Sequence, residues 1–374
     1  MSIKTHVTYL DSIRGLASLM VITEHYIIAF GFPCENATCQ NTLDSTPLNF
    51  WWNGSAAVSM FFVLSGLVLS LKYFRSGHKP DLTDFNPTGY LIGRAFRIWL
   101  PYGIILLISA ALYHYATQSP MIKTPLPSSI WISEMWHGHP LTFSDMIRES
   151  FLIKLPELIV LIPQSWTLTI ELVLSLLLPI GLLLAEKGTN WLIFFGLFAV
   201  SCLGVSVFLL HFLLGFLIAR YYHYLSGYFA GRIWQRRLIC AIGILCYTSG
   251  NVICMLTGDS TIELVNGIGS ALLLVFVIGS VRAQRFLSYP VLTKTGKVSY
   301  SAYLIHMLIL ICLTPHLLKW LELLTTDHFG LWFGGYLLTI LIVQALSLLS
   351  YEWLERPSVE IGRRISDRIR SFSL

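Results

Sequence analysis

Four ionisable side chains interrupt the first apolar stretch of the chain, YLDSIRGLASLMVITEHY (9–26): Asp11, Arg14, Glu24 and His25. An ionisable group inside a bilayer carries a penalty of about 3 kcal/mol on insertion scales, so such residues face a cavity, a partner or a reaction path. At 100° per residue, Arg14 and His25 lie about 20° from one line and about 16 Å apart along it. Asp11 falls within about 40° of His25, while Glu24 points elsewhere. Asp11, Arg14 and His25 thus make one polar stripe. Imidazole exchanges a proton near neutral pH, which makes His25 a candidate general base. The same residues have a structural use as well: an i,i+3 ion pair between Asp11 and Arg14, and a hydrogen-bonded packing histidine.

Three further clusters carry chemistry. In GRAFRIWLPY (93–102), Arg94 and Arg97 stand one turn apart. Guanidinium forks suit phosphate, although arginines also anchor helix ends at the cytoplasmic interface beside aromatic residues such as Trp99 and Tyr102. In PQSWTLTIELVLSLLLP (163–179), Glu171 lies inside an apolar helix with no basic neighbour in sequence. A buried carboxylate finds a partner on another element or takes up a proton. In GKVSYSAYLIHMLIL (296–310), Ser299, Tyr303 and His306 share one helix face within about 60°. That face can bind a sugar, or it can join helices through hydrogen bonds.

The elements that must position these groups are membrane helices. The chain is 55% hydrophobic and 12% charged, with a mean hydropathy of +0.67 over 374 residues. A soluble domain carries roughly twice that share of charge. Stretches of about 20 apolar residues predict an all-α integral membrane bundle of about ten spans. These fall at roughly 8–30, 52–72, 91–115, 165–185, 190–205, 207–225, 236–256, 261–281, 297–318 and 329–352. Residues 146–163 are apolar but short, and Pro156 and Pro163 mark them as interfacial or re-entrant. No small-residue cleavage site follows the first span, so it reads as a mature helix. No soluble domain is expected between or after the spans.

Both termini are expected in the cytoplasm. With that orientation, all Lys and Arg residues except Lys123, Arg148, Lys154 and Lys319 fall on the cytoplasmic side, as the positive-inside rule requires. The net charge of +5 is too small to signal nucleic acid. The seven cysteines show no metal-ligand spacing, so no metal site is expected. Cys34 and Cys39, in the polar stretch PCENATCQN, are either a small disulfide facing an oxidising compartment or free thiols. Asn36-Ala37-Thr38 is a glycosylation sequon in a eukaryotic context.

Taken together and in order, YLDSIRGLASLMVITEHY, FFVLSGLVLSLKY (61–73), GRAFRIWLP, SWTLTIELVLSLLLP, GKVSYSAYLIHMLIL and WLERPSVEIGRR extend over nearly the whole chain. This set resembles the acyltransferase-3 family of membrane acyltransferases. The resemblance implies a multi-pass protein of the bacterial inner membrane. It implies transfer of an acyl group, usually acetyl, from cytoplasmic acyl-CoA to a hydroxyl of a saccharide or glycolipid acceptor. Acetyl-CoA is then a co-substrate, and no tightly bound cofactor is expected. Carried over by residue, the resemblance marks His25, Arg14, the Arg94/Arg97 pair and Glu171, in the motif that Trp166 opens. That motif usually holds two acidic residues; WTLTIEL has one.

On this reading Arg94, Arg97 and Arg14 hold CoA phosphates, with Asp11, Trp166, Ser299, Tyr303 and His306 in the binding set. His25 is the base or a transient acyl carrier, and Glu171 fixes its tautomer. A rival from another class is a proton-coupled transporter, which also uses intramembrane His, Glu and Arg. No inverted repeat or matched pair of broken helices accompanies it.

Overall fold

The computed structural model describes residues 7–34, 37–75, 77–83, 85–118, 123–126, 128–137, 140–152, 161–250 and 259–372. Asn36 of the sequon, Lys154 and Pro156 lie outside them. Among the described residues every regular element is helical. Among the described residues six helices are long and apolar enough to cross a membrane: Thr8–Phe30, Gly54–Phe74, Pro87–Gln118, Pro163–Lys187, Thr261–Gly279 and His328–Ile369. Two bent pairs bring the number to eight. These are Phe208–Arg220 with Tyr222–Ala230, bent by 69°, and Pro290–Lys297 with Ser299–Cys312, bent by 68°. The expected spans 190–205 and 236–256 correspond to the shorter helices Thr189–Cys202 and Ile233–Thr248, of 14 and 16 residues. The chain is therefore an all-α multi-pass membrane bundle.

The last helix runs well past the expected end at 352. Pro357 has no N–H, and its ring would strike the carbonyl four residues back in a regular α-helix. The chain relieves this with a π-turn at Tyr351–Glu355 and then continues as the polar helix Arg356–Phe372.

The chain divides into two compact units. The first comprises Met1–Val21, Asn41–Pro87 and Val173–Lys297. Its helices Gly54–Leu71 and Phe208–Arg220 pack backbone to backbone: a Cβ on Gly66 would strike the Phe212 carbonyl, and one on Gly215 the Val63 carbonyl. Small residues that let backbones meet are how membrane helices gain contact where the hydrophobic effect gives little.

The second unit comprises Ile22–Gln40, Thr88–Leu172 and Val298–Leu374. Its centre is the helix Ser299–Cys312, in which Ser299 and every residue from Ser301 to Leu310 are buried. A helix apolar on all sides belongs in such a position. The end of the first helix is tied down here. Tyr26 donates to the Trp332 carbonyl at 3.0 Å, and Trp332 donates to the Gly31 carbonyl at 2.7 Å. Gly31 ends that helix with φ +73°, the left-handed turn that glycine takes without strain.

The described ends of the segment expected to be interfacial or re-entrant both meet the helix Pro87–Gln118. The helix Phe143–Ser150 meets Pro87–Gln118 at Trp99, which donates to the Ser150 carbonyl at 2.6 Å, and at Tyr102, which donates to the Glu149 carbonyl at 2.8 Å. Leu161 meets the same helix at Ser109, seven residues further on, and its N–H is held by both Glu149 carboxylate oxygens at 3.2 Å. Each of these four contacts satisfies a backbone polar group of the segment within the protein.

Candidate active site

The second unit brings His25 and His306 together across 281 residues of sequence. His25 Nδ1 lies 2.9 Å from His306 Nε2, and the two rings are close to coplanar at 11°. His306 is fully buried, and its Nδ1 lies 2.8 Å from the Tyr303 carbonyl. His25 is only half-buried, as a group that meets substrate must be. Trp131 lies beside it with ring centroids 5.7 Å apart and planes within 18°. The short helix Ile130–His137 carries Trp131, and the Ser129 N–H donates to the Ala29 carbonyl at 2.8 Å, which docks that helix against the end of the first.

The start of the Trp166–Lys187 helix braces the pair. Gln164 donates its side-chain amide to the Tyr303 and Leu304 carbonyls at 2.9 and 3.0 Å. Thr167 Oγ1 lies 2.6 Å from the Tyr303 hydroxyl, which also donates to the Gln164 carbonyl at 3.1 Å. Gln164 Oε1 is buried with no hydrogen-bond partner among the described residues.

A charged cluster forms at the other end of the central helix. Arg94 donates to Glu171 at 2.9 Å, with side chains 9% and 29% exposed. Tyr300 donates to the Ile98 carbonyl at 2.6 Å and lies within electrostatic reach of Arg94, Arg97, Glu171 and Glu355. The π-turn presents Glu355 inward, where it accepts from Ser301 at 2.9 Å. Tyr300 and His306 are six residues apart on one helix, so the charged cluster and the histidine pair are about 9 Å apart along its axis.

These contacts correct two expectations. Glu171 was expected to orient His25; it pairs with Arg94, and His306 holds His25. Arg94 was expected to hold CoA phosphate together with Arg97; Arg94 is buried on a carboxylate, whereas Arg97 is exposed and among the described residues makes no ion pair. In the first unit Arg14 and Asp11 form the i,i+3 ion pair at 3.7 Å. Trp166 is half-buried and Ser299 buried. Cys34 and Cys39 are joined in a disulfide.

Trp131, Gln164, Thr167, Tyr300 and Glu355 were not singled out from the sequence. Gln164 and Thr167 adjoin the Trp166 motif, and Glu355 sits in WLERP; Trp131 follows no legible pattern.

The family described as an acyltransferase domain matches residues 7–349. No curated protein and no solved structure matches the chain.

Proposed function

The chain belongs to the acyltransferase-3 family, and from that premise we propose that it transfers an acetyl group from cytoplasmic acetyl-CoA to a hydroxyl of a saccharide or glycolipid acceptor. The observation that carries the reading is the half-buried His25 ring whose Nδ1 is occupied by His306. Nε2 is then the atom left to meet substrate. It takes the proton of the acceptor hydroxyl as that oxygen attacks the thioester carbonyl. The new C–O bond forms, the C–S bond breaks, and the proton passes from Nε2 to the departing CoA thiolate.

Arg97 is the group suited to a CoA phosphate, being exposed and unpaired among the described residues. Arg94 and Glu171 act as a fixed pair one helical turn away from it. The Trp131 ring offers an apolar platform for a sugar face. The Cys34–Cys39 disulfide supports an outward-facing first loop, in keeping with a cytoplasmic N-terminus and a bacterial inner membrane.

The test uses inverted membrane vesicles holding the full chain, with radiolabelled acetyl-CoA outside. Label is expected to enter the glycan or glycolipid fraction with the wild type and not with His25→Ala at equal abundance. Equal incorporation by both would overturn the proposal.

A further inference from the structure

We infer that His306 is a positioning residue that keeps the reactive lone pair of His25 on Nε2; this rests on the acyl-transfer reading above. The direction of the hydrogen bonds carries the inference. The Tyr303 carbonyl only accepts, so His306 Nδ1, 2.8 Å away, bears the hydrogen. A neutral imidazole has one donor and one acceptor, so His306 Nε2 is the acceptor. His25 Nδ1, 2.9 Å from it, must then donate. His25 therefore carries its hydrogen on Nδ1 whether neutral or protonated, and the proton that comes and goes sits on Nε2.

The chain of orientation is anchored at several points. The central helix fixes His306, which has no exposed surface. Gln164 holds the Tyr303 and Leu304 carbonyls from the neighbouring helix start. Thr167 holds the Tyr303 ring by its hydroxyl. The C-terminal end of the first helix, locked through Tyr26 and Trp332, keeps the His25 backbone in register with this frame. A carboxylate does the orienting in the familiar serine-protease arrangement. Here a second imidazole, itself pinned by a carbonyl, supplies the acceptor. It adds no second negative charge in a low-dielectric site, which is consistent with the single acidic residue in WTLTIEL.

Two substitutions separate orientation from packing. His306→Leu fills the space but accepts nothing. His306→Gln places an amide oxygen near the lost Nε2 and restores an acceptor. In the vesicle assay, initial rates against acetyl-CoA concentration give apparent kcat and KM. His306→Leu is expected to lower kcat by roughly 10²–10⁴, the range for losing a correctly presented base, with KM for acetyl-CoA within about threefold. His306→Gln is expected to return kcat to within about tenfold of wild type. A kcat for His306→Leu near wild type would overturn the inference, as would equal losses in both variants at equal abundance.

A substrate-free measurement tells failure of this inference from failure of the acyl-transfer reading. In ¹⁵N-histidine NMR of the purified full chain, the His25 signals are assigned by their loss in His25→Ala. They are expected to show hydrogen on Nδ1. Hydrogen on Nε2 of neutral His25 would overturn the inference even if acetyl transfer is confirmed. The expected tautomer in a protein that transfers no acetyl would uphold the orientation and refute the reaction assigned to it.

Discussion

Removing either member of the Arg94–Glu171 pair should harm the protein unequally. Breaking a buried ion pair costs about 3–5 kcal/mol, because the survivor is left charged and undersolvated. The two survivors differ here. Without Glu171, the remaining guanidinium is a side chain only 9% exposed; without Arg94, the remaining carboxylate is 29% exposed and keeps part of its water. Glu171→Leu is therefore expected near about 4 kcal/mol and Arg94→Leu nearer about 2 kcal/mol. The double variant removes both charges of the pair, so its loss should fall below the sum of the two, by about 1–3 kcal/mol of coupling. The assay is denaturant or thermal unfolding of the purified protein in one detergent, with acetyl-CoA absent throughout. Losses that add, or an Arg94 variant less stable than the Glu171 variant, would refute the reasoning that the pair is structural and that Arg94 is its more desolvated member.

Other consequences can be checked in the same preparations. Arg97→Gln should raise the apparent KM for acetyl-CoA by about tenfold, the worth of one charge-assisted contact, while leaving stability within about 0.5 kcal/mol; an unchanged KM would remove Arg97 from the phosphate site. Gly215→Ala should lower folded yield sharply, since its methyl would meet the Val63 carbonyl, whereas Ala at Gly227, which has open space around it, should be tolerated. Trp131→Ala should raise the acceptor requirement more than the acetyl-CoA requirement, read from rates at varied acceptor-loaded membrane content; equal effects on both would count against a sugar platform. Cys34→Ser and Cys39→Ser should each abolish a thiol-protected, non-alkylatable state seen in mass spectra of the intact chain.

Much of this was legible because hydropathy and the chemistry of single residues are local. The first helix occupies Thr8–Phe30, where a polar loop and Gly31 bracket an apolar run. The extension beyond 352 was not legible, since hydropathy ends there while the backbone continues through a π-turn that accommodates Pro357. The site was half legible. His25, Arg94, Glu171 and His306 stand out as polar groups in apolar helices, but their pairing does not. Helical periodicity relates residues on one helix, whereas Arg94 meets Glu171 over 77 positions and His25 meets His306 over 281. Lacking those pairings, the sequence made Glu171 the natural partner for an imidazole, as the acidic residue of its motif. The packed unit gives that carboxylate to the buried Arg94 instead. Trp131 carried no signal at all, because its helix is eight residues long and only the Ser129–Ala29 contact brings it to His25.

The most direct test of acetyl transfer by His25 is mass spectrometry of surface glycans from three strains: wild type, a His25→Ala replacement and a deletion. The account expects an O-acetyl mass increment of about 42 Da, fixed by the chemistry of hydroxyl acylation, in the wild type and in neither of the others. The same increment in the His25→Ala strain at wild-type level would contradict the central role given to that imidazole.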